Sequence, residues 1–335
     1  MGRSAPMSLF LQQLIVGISA GAIYALIALG YTMVYGIIEL INFAHGDIFM
    51  IGTFVVISIL GVLGVTTGTH LTGWPLISTM IIALVGSMLV CAVLGVVIER
   101  IAYRPLRNAP RIAPLISAIG VSLILEDVGK LWKGINFVAF PQYFPSQNIH
   151  IGPPGGGVDI SSVNILVIVV SVALMIALQW MVTRTRIGRA MRAVAQDREA
   201  AALMGVNVDR IISITFFIGA GLAGAAAFIF GLAFPATIFV IGFTLGLFAF
   251  TAAVLGGIGN LVGAMLGGIL IGIIEALSSL IPDTTDPAYQ GIFGLRIGLP
   301  HGGPAWHEAV IFAVLILILV FRPSGLLGQQ TPEKV

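Results

Sequence analysis

Apolar residues along the chain form nine long blocks with short polar breaks between them. The blocks lie at about 9–35, 48–65, 75–98, 113–132, 162–182, 211–234, 243–258, 260–281 and 306–321. Backbone amides placed in hydrocarbon must bond within their own segment, so such blocks predict α-helices. The alternation of lipid-facing and lumen-facing positions that a transmembrane barrel needs is absent. A helix needs about 20 residues to cross some 30 Å of hydrocarbon. The blocks at 48–65, 243–258 and 306–321 are short by that measure. One of them is expected to be a half-helix or re-entrant, which leaves eight or nine crossings. Met1 to Ala20 has the basic start and apolar run of a signal peptide, but the run continues from Leu9 to about Tyr35. That exceeds an h-region of roughly 7–15 residues and predicts a spanning helix.

Composition strengthens this picture. Of 335 residues, 58% are hydrophobic and 9% charged, against about 25% charged in soluble domains. A soluble enzyme, a disordered tail and a nucleic-acid binder are excluded, and the chain's main neighbour is membrane lipid. The fold class expected is an all-α polytopic membrane protein, with residues 1–335 as a single transmembrane domain. The net charge of +2 carries little information, but the placement of the charges does. Arg100, Arg104, Arg107 and Arg111 follow the third block, and Arg184, Arg186, Arg189, Arg192, Arg198 and Arg210 follow the fifth. These loops hold ten of the thirteen arginines, so both are expected to be cytoplasmic. Arg322 and Lys334 put the C-terminal end on the same side. The segments at about 133–161 and 282–305 then lie outside. Pro153-Pro154-Gly155-Gly156-Gly157 in the first, and Asp283, Asp286, Gly302 and Gly303 in the second, mark exposed loops. They are read as connectors or as contact points for an external partner. Cys91 is the sole cysteine and sits in an apolar stretch as packing.

The loop at about 184–210 is rich in Ala, Arg, Met, Leu and Glu, all strong helix formers. No proline interrupts Gly188 to Gly205, and Gly205 is predicted to end the helix in the left-handed conformation. Met191, Val194, Leu203 and Met204 are expected to form an apolar side. Arg189, Arg192, Asp197 and Glu199 are expected to face water or a partner. A channel driven by a separate motor must receive force through a rigid protruding element of this type. The small side chains of Ala200 and Ala201 permit close docking, and Gly205 permits a sharp turn. The plainer reading is a surface helix on a cytoplasmic loop.

Two polar or glycine-rich breaks interrupt the apolar blocks in opposite halves of the chain: Asn42-Phe43-Ala44-His45-Gly46-Asp47 and Gly256-Gly257-Ile258-Gly259-Asn260. Broken helices in corresponding halves point to a transport path. Asn42, His45, Asp47, Gly257, Gly259 and Asn260 are therefore candidate path residues. His45 and Asp47 read either as a proton pair or, preferred here, as part of a structural link in which Asp47 N-caps the next helix. Glu275, within a spanning block, is expected to be paired, protonated or near the outer interface. Glu126, Asp127, Lys130 and Lys133 are expected to satisfy one another at helical spacing. Glycines four apart (Gly17/Gly21, Gly242/Gly246, Gly263/Gly267, Gly268/Gly272) predict close helix contacts. The sequence contains no phosphate-binding Gly-x-x-x-x-Gly-Lys-Ser/Thr loop, so this chain is not expected to hydrolyse ATP. It shows no metal-ligand cluster and no hydrolase elbow. Energy is expected to come from another subunit. An integral-membrane enzyme using His45 and Asp47 is the alternative of a different class.

Several segments resemble a known family in register. They are Tyr24-Ala25-Leu26-Ile27-Ala28-Leu29-Gly30-Tyr31 through Ile38, Ile41-Asn42-Phe43-Ala44-His45-Gly46, Ile98-Glu99-Arg100-Ile101-Ala102-Tyr103-Arg104-Pro105-Leu106-Arg107, Leu115–Gly120, Arg186-Ile187-Gly188-Arg189-Ala190 and Phe250-Thr251-Ala252-Ala253-Val254-Leu255-Gly256-Gly257-Ile258-Gly259. Together they resemble the LivH-type permeases of branched-chain amino acid ABC importers. Glu199-Ala200-Ala201, three residues, then Gly205 is similar to the core of the signature loop of ABC importer permeases, without its downstream proline. The resemblance implies a partner permease of LivM type, two cytoplasmic ATPase subunits that bind ATP and Mg, and an extracytoplasmic substrate-binding protein. It implies no cofactor in this chain, a place in the bacterial inner membrane, and a cytoplasmic coupling helix at Arg189–Gly205. Relatives of this kind also carry amides or urea, which is the alternative substrate class. The outer segment 282–305 is long for the family.

Overall fold

A computed structural model describes residues 5–38, 42–107, 109–110, 112–152, 157–285, 298–322 and 324–328. Of the sequence features above, Pro153–Gly156, Asp286, Arg111 and Lys334 lie outside the described residues. The expected all-α polytopic fold is the one found. Among the described residues, seven helices are long and apolar enough to cross a membrane. They are α1 (Ala5–Ile38), α2 (Ala44–Val62), α3 (Gly73–Ile98), α4 (Ile112–Lys133), α5 (Ser162–Arg184), α8 (Val208–Ala233) and α10 (Leu261–Ser278). Two shorter apolar helices, α9 (Ile241–Gly256) and α11 (His307–Phe321), complete the bundle. Between α5 and α8 lie α6 (Arg186–Gln196) and α7 (Arg198–Leu203).

The chain direction fixes two ends. The Arg198 guanidinium donates to the carbonyl of Ile37 at 2.7 Å, so α1 ends beside the arginine-rich segments. Ser19 lies 3.5 Å from Asn164 at the start of α5, so the earlier part of α1 is at the opposite end. Helices α1, α8 and α2 form the centre. The apolar windows of α8 and α2 are 83% and 72% buried, whereas those of α4 and α5 are only 28% and 22% buried. Ile116, Leu123 and Ile124 on α4 and Val169, Ile176 and Trp180 on α5 are exposed apolar side chains, as a lipid-facing surface requires.

The most extensive helix contact is between α1 and α10, which run antiparallel. A Cβ on Gly21 would stand 2.7 Å from Ile269 Cα, and one on Gly17 would stand 2.8 Å from Ile273 Cα. Only glycine permits that approach, and it replaces side-chain contacts with backbone packing. Cys91 is fully buried with its Sγ 3.5 Å from the Ile48 carbonyl.

At the end away from the arginines, the described strands form two small ladders. β1 (Val138–Ala139) pairs with β4 (Ala236–Thr237), and β2 (Asn148–Ile151) pairs with β3 (Val158–Ser161), both antiparallel. His150 Nδ1 and Asp159 Oδ1 pair across the β2–β3 ladder at 2.8 Å. In the second outer segment, Asp283 accepts from the Thr285 amide at 2.7 Å and from its hydroxyl at 2.6 Å. Those bonds hold the Asp283 carboxyl below the ordinary carboxylate range.

Candidate functional site

The first break does not behave as a surface link. Asn42, His45 and Asp47 are all at most 2% exposed. Helix α2 starts at Ala44, inside the protein, with Phe43 at the N-cap position and no side-chain cap. Asp47 is therefore not the cap expected from sequence. It lies one turn into α2 and accepts a hydrogen bond from Ser122 on α4. Its other carboxylate oxygen points at α9. A Cβ on Gly242 would lie 2.7 Å from Asp47 Oδ1 and 2.7 Å from the Gly46 carbonyl. Gly242 is the second residue of α9, so the N-terminal ends of α2 and α9 meet at Gly46, Asp47 and Gly242. Sixteen residues make α9 about 24 Å long, too short to cross a core of about 30 Å.

The second break, Gly256–Asn260, is a turn between α9 and α10. Gly257, Gly259 and Asn260 sit at the arginine-rich end, where a cavity of about 100 Å³ puts Gly259 with Gly36, Val182, Met191 and Arg192. The Asn260 side chain caps α10 through the Gly263 amide at 3.1 Å and donates to the Leu327 carbonyl at 2.8 Å. Leu326 and Leu327 bond to the carbonyls of Leu255 and Gly256, which zips the segment after α11 onto this turn. Gly257 and Gly259 take positive φ there, 106° and 91°. The break that opposes Asn42–Asp47 is the one before α9, at residues 234–240. Its sequence signal was weak, because Phe234, Ile238, Phe239 and Val240 keep it apolar.

Tyr31 of α1 lines the same junction. Its ring lies edge-on to His45 with centroids 4.8 Å apart, and it also faces Phe250 of α9 at 6.3 Å. Among the described residues, Asn42 Nδ2, His45 Nε2, Asp47 Oδ1, Thr32 Oγ1 and Thr251 Oγ1 are buried without a hydrogen-bond partner. Buried polar atoms are nearly always paired, and Asn42 and Asp47 bring unpaired ones to the junction at the start of α2. Sequence reasoning named three of these residues and missed Tyr31, Thr32 and Thr251, which look like ordinary members of apolar blocks.

The second region is the lever formed by α6 and α7. One continuous helix was expected over 189–205, and the structure breaks it at Asp197. That residue is extended (φ −156°, ψ 112°) and caps α7 by accepting from the amides of Glu199 and Ala200 at 2.9 and 3.0 Å. At the far end Gly205 has φ +83°, and Val206 N–H bonds back to the Ala201 carbonyl, so the helix stops as predicted. The expected apolar side divides. Met191, Val194 and Ala201 are buried, while Leu203 and Met204 are 89% and 84% exposed. Arg189, Glu199, Ala200 and Gly205 are exposed. Arg192 folds back to donate to the carbonyls of Val182 and Thr183 at the end of α5, where a cation suits the helix terminus.

Between the lever and the bundle lies a cavity of about 390 Å³, lined by Ile37, Tyr103, Arg107, Val194, Arg198 and Glu199 among others. Tyr103, which lines it, is the last residue of a π-helical turn, Glu99–Tyr103, that continues α3. Glu99 is fully buried and bonds to Arg107 and to Ser213 Oγ. Arg104 and Arg107 both pair with Asp209 at the start of α8. Elsewhere, Glu275 is paired, as expected: the Tyr24 hydroxyl donates to it at 2.6 Å. Lys130 pairs with Asp127 at 2.9 Å and also sits over the Phe239 ring. Among the described residues, no group of three His, Cys, Asp or Glu side chains is arranged to hold a metal ion.

Comparison with known proteins fits these features. Residues 13–319 match the family described as "Branched-chain amino acid transport system / permease component". The chain is 43% identical to the high-affinity branched-chain amino acid transport system permease protein BraD of Pseudomonas aeruginosa, over 97% of this chain and 98% of that one. It is 41% identical to the corresponding LivH permease of Escherichia coli K12 over the same shares. A weaker likeness, 27% identity over 44% of this chain and 41% of the relative, links it to a probable LivM permease of Methanocaldococcus jannaschii. No solved structure matches the chain. The chain therefore belongs to the branched-chain amino acid transport system permease component family, and it is a multi-pass protein of the inner membrane.

Proposed function

We propose that this chain is the permease subunit of an ATP-driven importer for branched-chain or related hydrophobic amino acids, forming half of a gated path. The observation that carries the reading is the meeting of two helix N-termini, α2 and α9, in a polar seam inside an otherwise apolar bundle. Helix ends and unpaired polar side chains at that depth suit a solute that must shed water. Asn42, His45 and Asp47 belong to this seam. Gly257, Gly259 and Asn260 form the inner turn below it.

The free energy comes from two separate ATPase subunits that bind ATP and Mg. They grip the lever, where Arg189, Glu199 and Ala200 offer charge and a small surface, and Leu203 and Met204 offer exposed apolar contacts. Asp197 and Gly205 set the two ends of α7, Ala201 seats it on the bundle, and Arg192 fastens α6 to α5. A second permease of LivM type completes the path, and an extracytoplasmic binding protein delivers solute to the outer segments. Closing of the ATPases shifts the path between its two states only if they hold the lever differently in each.

The test is uptake of labelled leucine by proteoliposomes holding the whole complex. Excess valine is expected to abolish uptake and excess urea to leave it unchanged. Competition by urea with none by valine would assign the complex to amides instead.

A further inference from the structure

Tyr103 stands between the lever and the start of α2. Tyr103 closes the π-helical turn and is 3% exposed. Its hydroxyl donates to Asn42 Oδ1 at 2.6 Å, and its ring lies tilted against Phe216 of α8 at 5.5 Å. It also lines the cavity of about 390 Å³ whose far wall is Val194–Glu199. Asn42 stands just ahead of α2, and its carbonyl accepts from the His45 amide at 3.0 Å. The Tyr103–Asn42 bond thus fixes the start of α2 relative to the arginine-rich end.

We infer that the turn Glu99–Tyr103 relays movement of the α6–α7 lever to the start of α2, and that the Tyr103–Asn42 hydrogen bond is the contact that passes it on. This inference rests on the proposed ATPase-driven function. Two observations fit a relay better than a fixed strut. A π-turn carries one surplus residue in its helical register, which makes it a point of ready rearrangement, and such turns concentrate at functional sites. The cavity leaves the lever room to move toward the turn without expelling a side chain. The turn is held on both sides, by Glu99 to Ser213 of α8 at its start and by Arg104 and Arg107, just past Tyr103, to Asp209 of α8. Tyr103 touches no solute in this scheme and is a positioning residue.

The test uses the full complex with its ATPases and binding protein in proteoliposomes, and reads leucine transported per ATP hydrolysed. Tyr103→Phe keeps the ring against Phe216 and deletes only the hydroxyl. The expected result is assembly and ATP hydrolysis within about twofold of the unaltered complex, with transport per ATP falling at least fivefold. Asn42→Leu is expected to lower the ratio similarly, and the double substitution to be no worse than Asn42→Leu alone, because both remove one contact. A Tyr103→Phe complex with an unchanged ratio would overturn the relay while leaving the importer reading in place. Equal losses of hydrolysis and uptake would also overturn it, because that marks a merely structural bond. Failure of the unaltered complex to show ATP-dependent leucine uptake would overturn both.

Discussion

Tyr24 and Glu275 show how a single hydrogen bond makes an ionisable group tolerable inside an oily bundle. The carboxyl lies on α10 and its donor on α1, 251 positions apart in sequence. Tyr24→Phe removes the donor and leaves a half-buried carboxyl unsatisfied, at a cost of about 1–3 kcal/mol. The midpoint of thermal unfolding in detergent should fall by several degrees for Tyr24→Phe. Glu275→Gln keeps an acceptor and should change it little. The sequence revealed that Glu275 needs a partner but not which one, because nothing local distinguishes Tyr24 from other residues of an apolar block. Asp47 was harder to read. A carboxylate that closes a polar break looks like a helix cap, and the reading fails because α2 begins earlier, at Ala44 inside the protein, where Ser122 of α4 is the partner of Asp47. Burial of that kind depends on three helices at once and leaves no periodic trace.

At the scale of elements, apolar block length predicted every long helix, and glycine spacing predicted close helix contacts but not that α1 and α10 are the pair that makes this one. A Cβ at Gly21 would strike the backbone of α10, so Gly21→Val should push the helices apart at about 1–3 kcal/mol or more. A lower yield of folded protein and a lower melting temperature would report it, and unchanged stability would argue against this packing. The lever was legible as helical and amphipathic, but not as two helices. Nothing in helix propensity separates Gln196 from Arg198, and the break arises because the Asp197 carboxylate captures two amides. Asp197→Ala should destabilise α7 by about 1 kcal/mol and speed hydrogen exchange at residues 198–203, while Asp197→Ser should behave nearly as the unaltered chain. The relevant partner of the first break also escaped the sequence, because the residues before α9 are apolar and the polarity lies in the backbone ends they expose.

For the whole molecule, the division of labour follows from where charge is and is not. The bundle has ionisable groups at the seam, at the arginine-rich end and at Glu275, and under the proposed function the work of transport arrives through the lever. Leu203 and Met204 are the most exposed apolar side chains on it. Isolated in water they have no purpose, and on a docking surface they are the expected anchors. Leu203→Glu with Met204→Glu should leave membrane insertion intact and reduce recovery of the ATPase subunits on affinity purification at least tenfold. Full recovery would place the docking surface elsewhere. The most direct measurement compares leucine accumulation in proteoliposomes holding this chain alone with accumulation in those holding the complete complex, each with and without ATP on the side facing the lever. Accumulation only with the complete complex and only with ATP is the predicted result, and concentrative uptake by this chain alone would contradict the account.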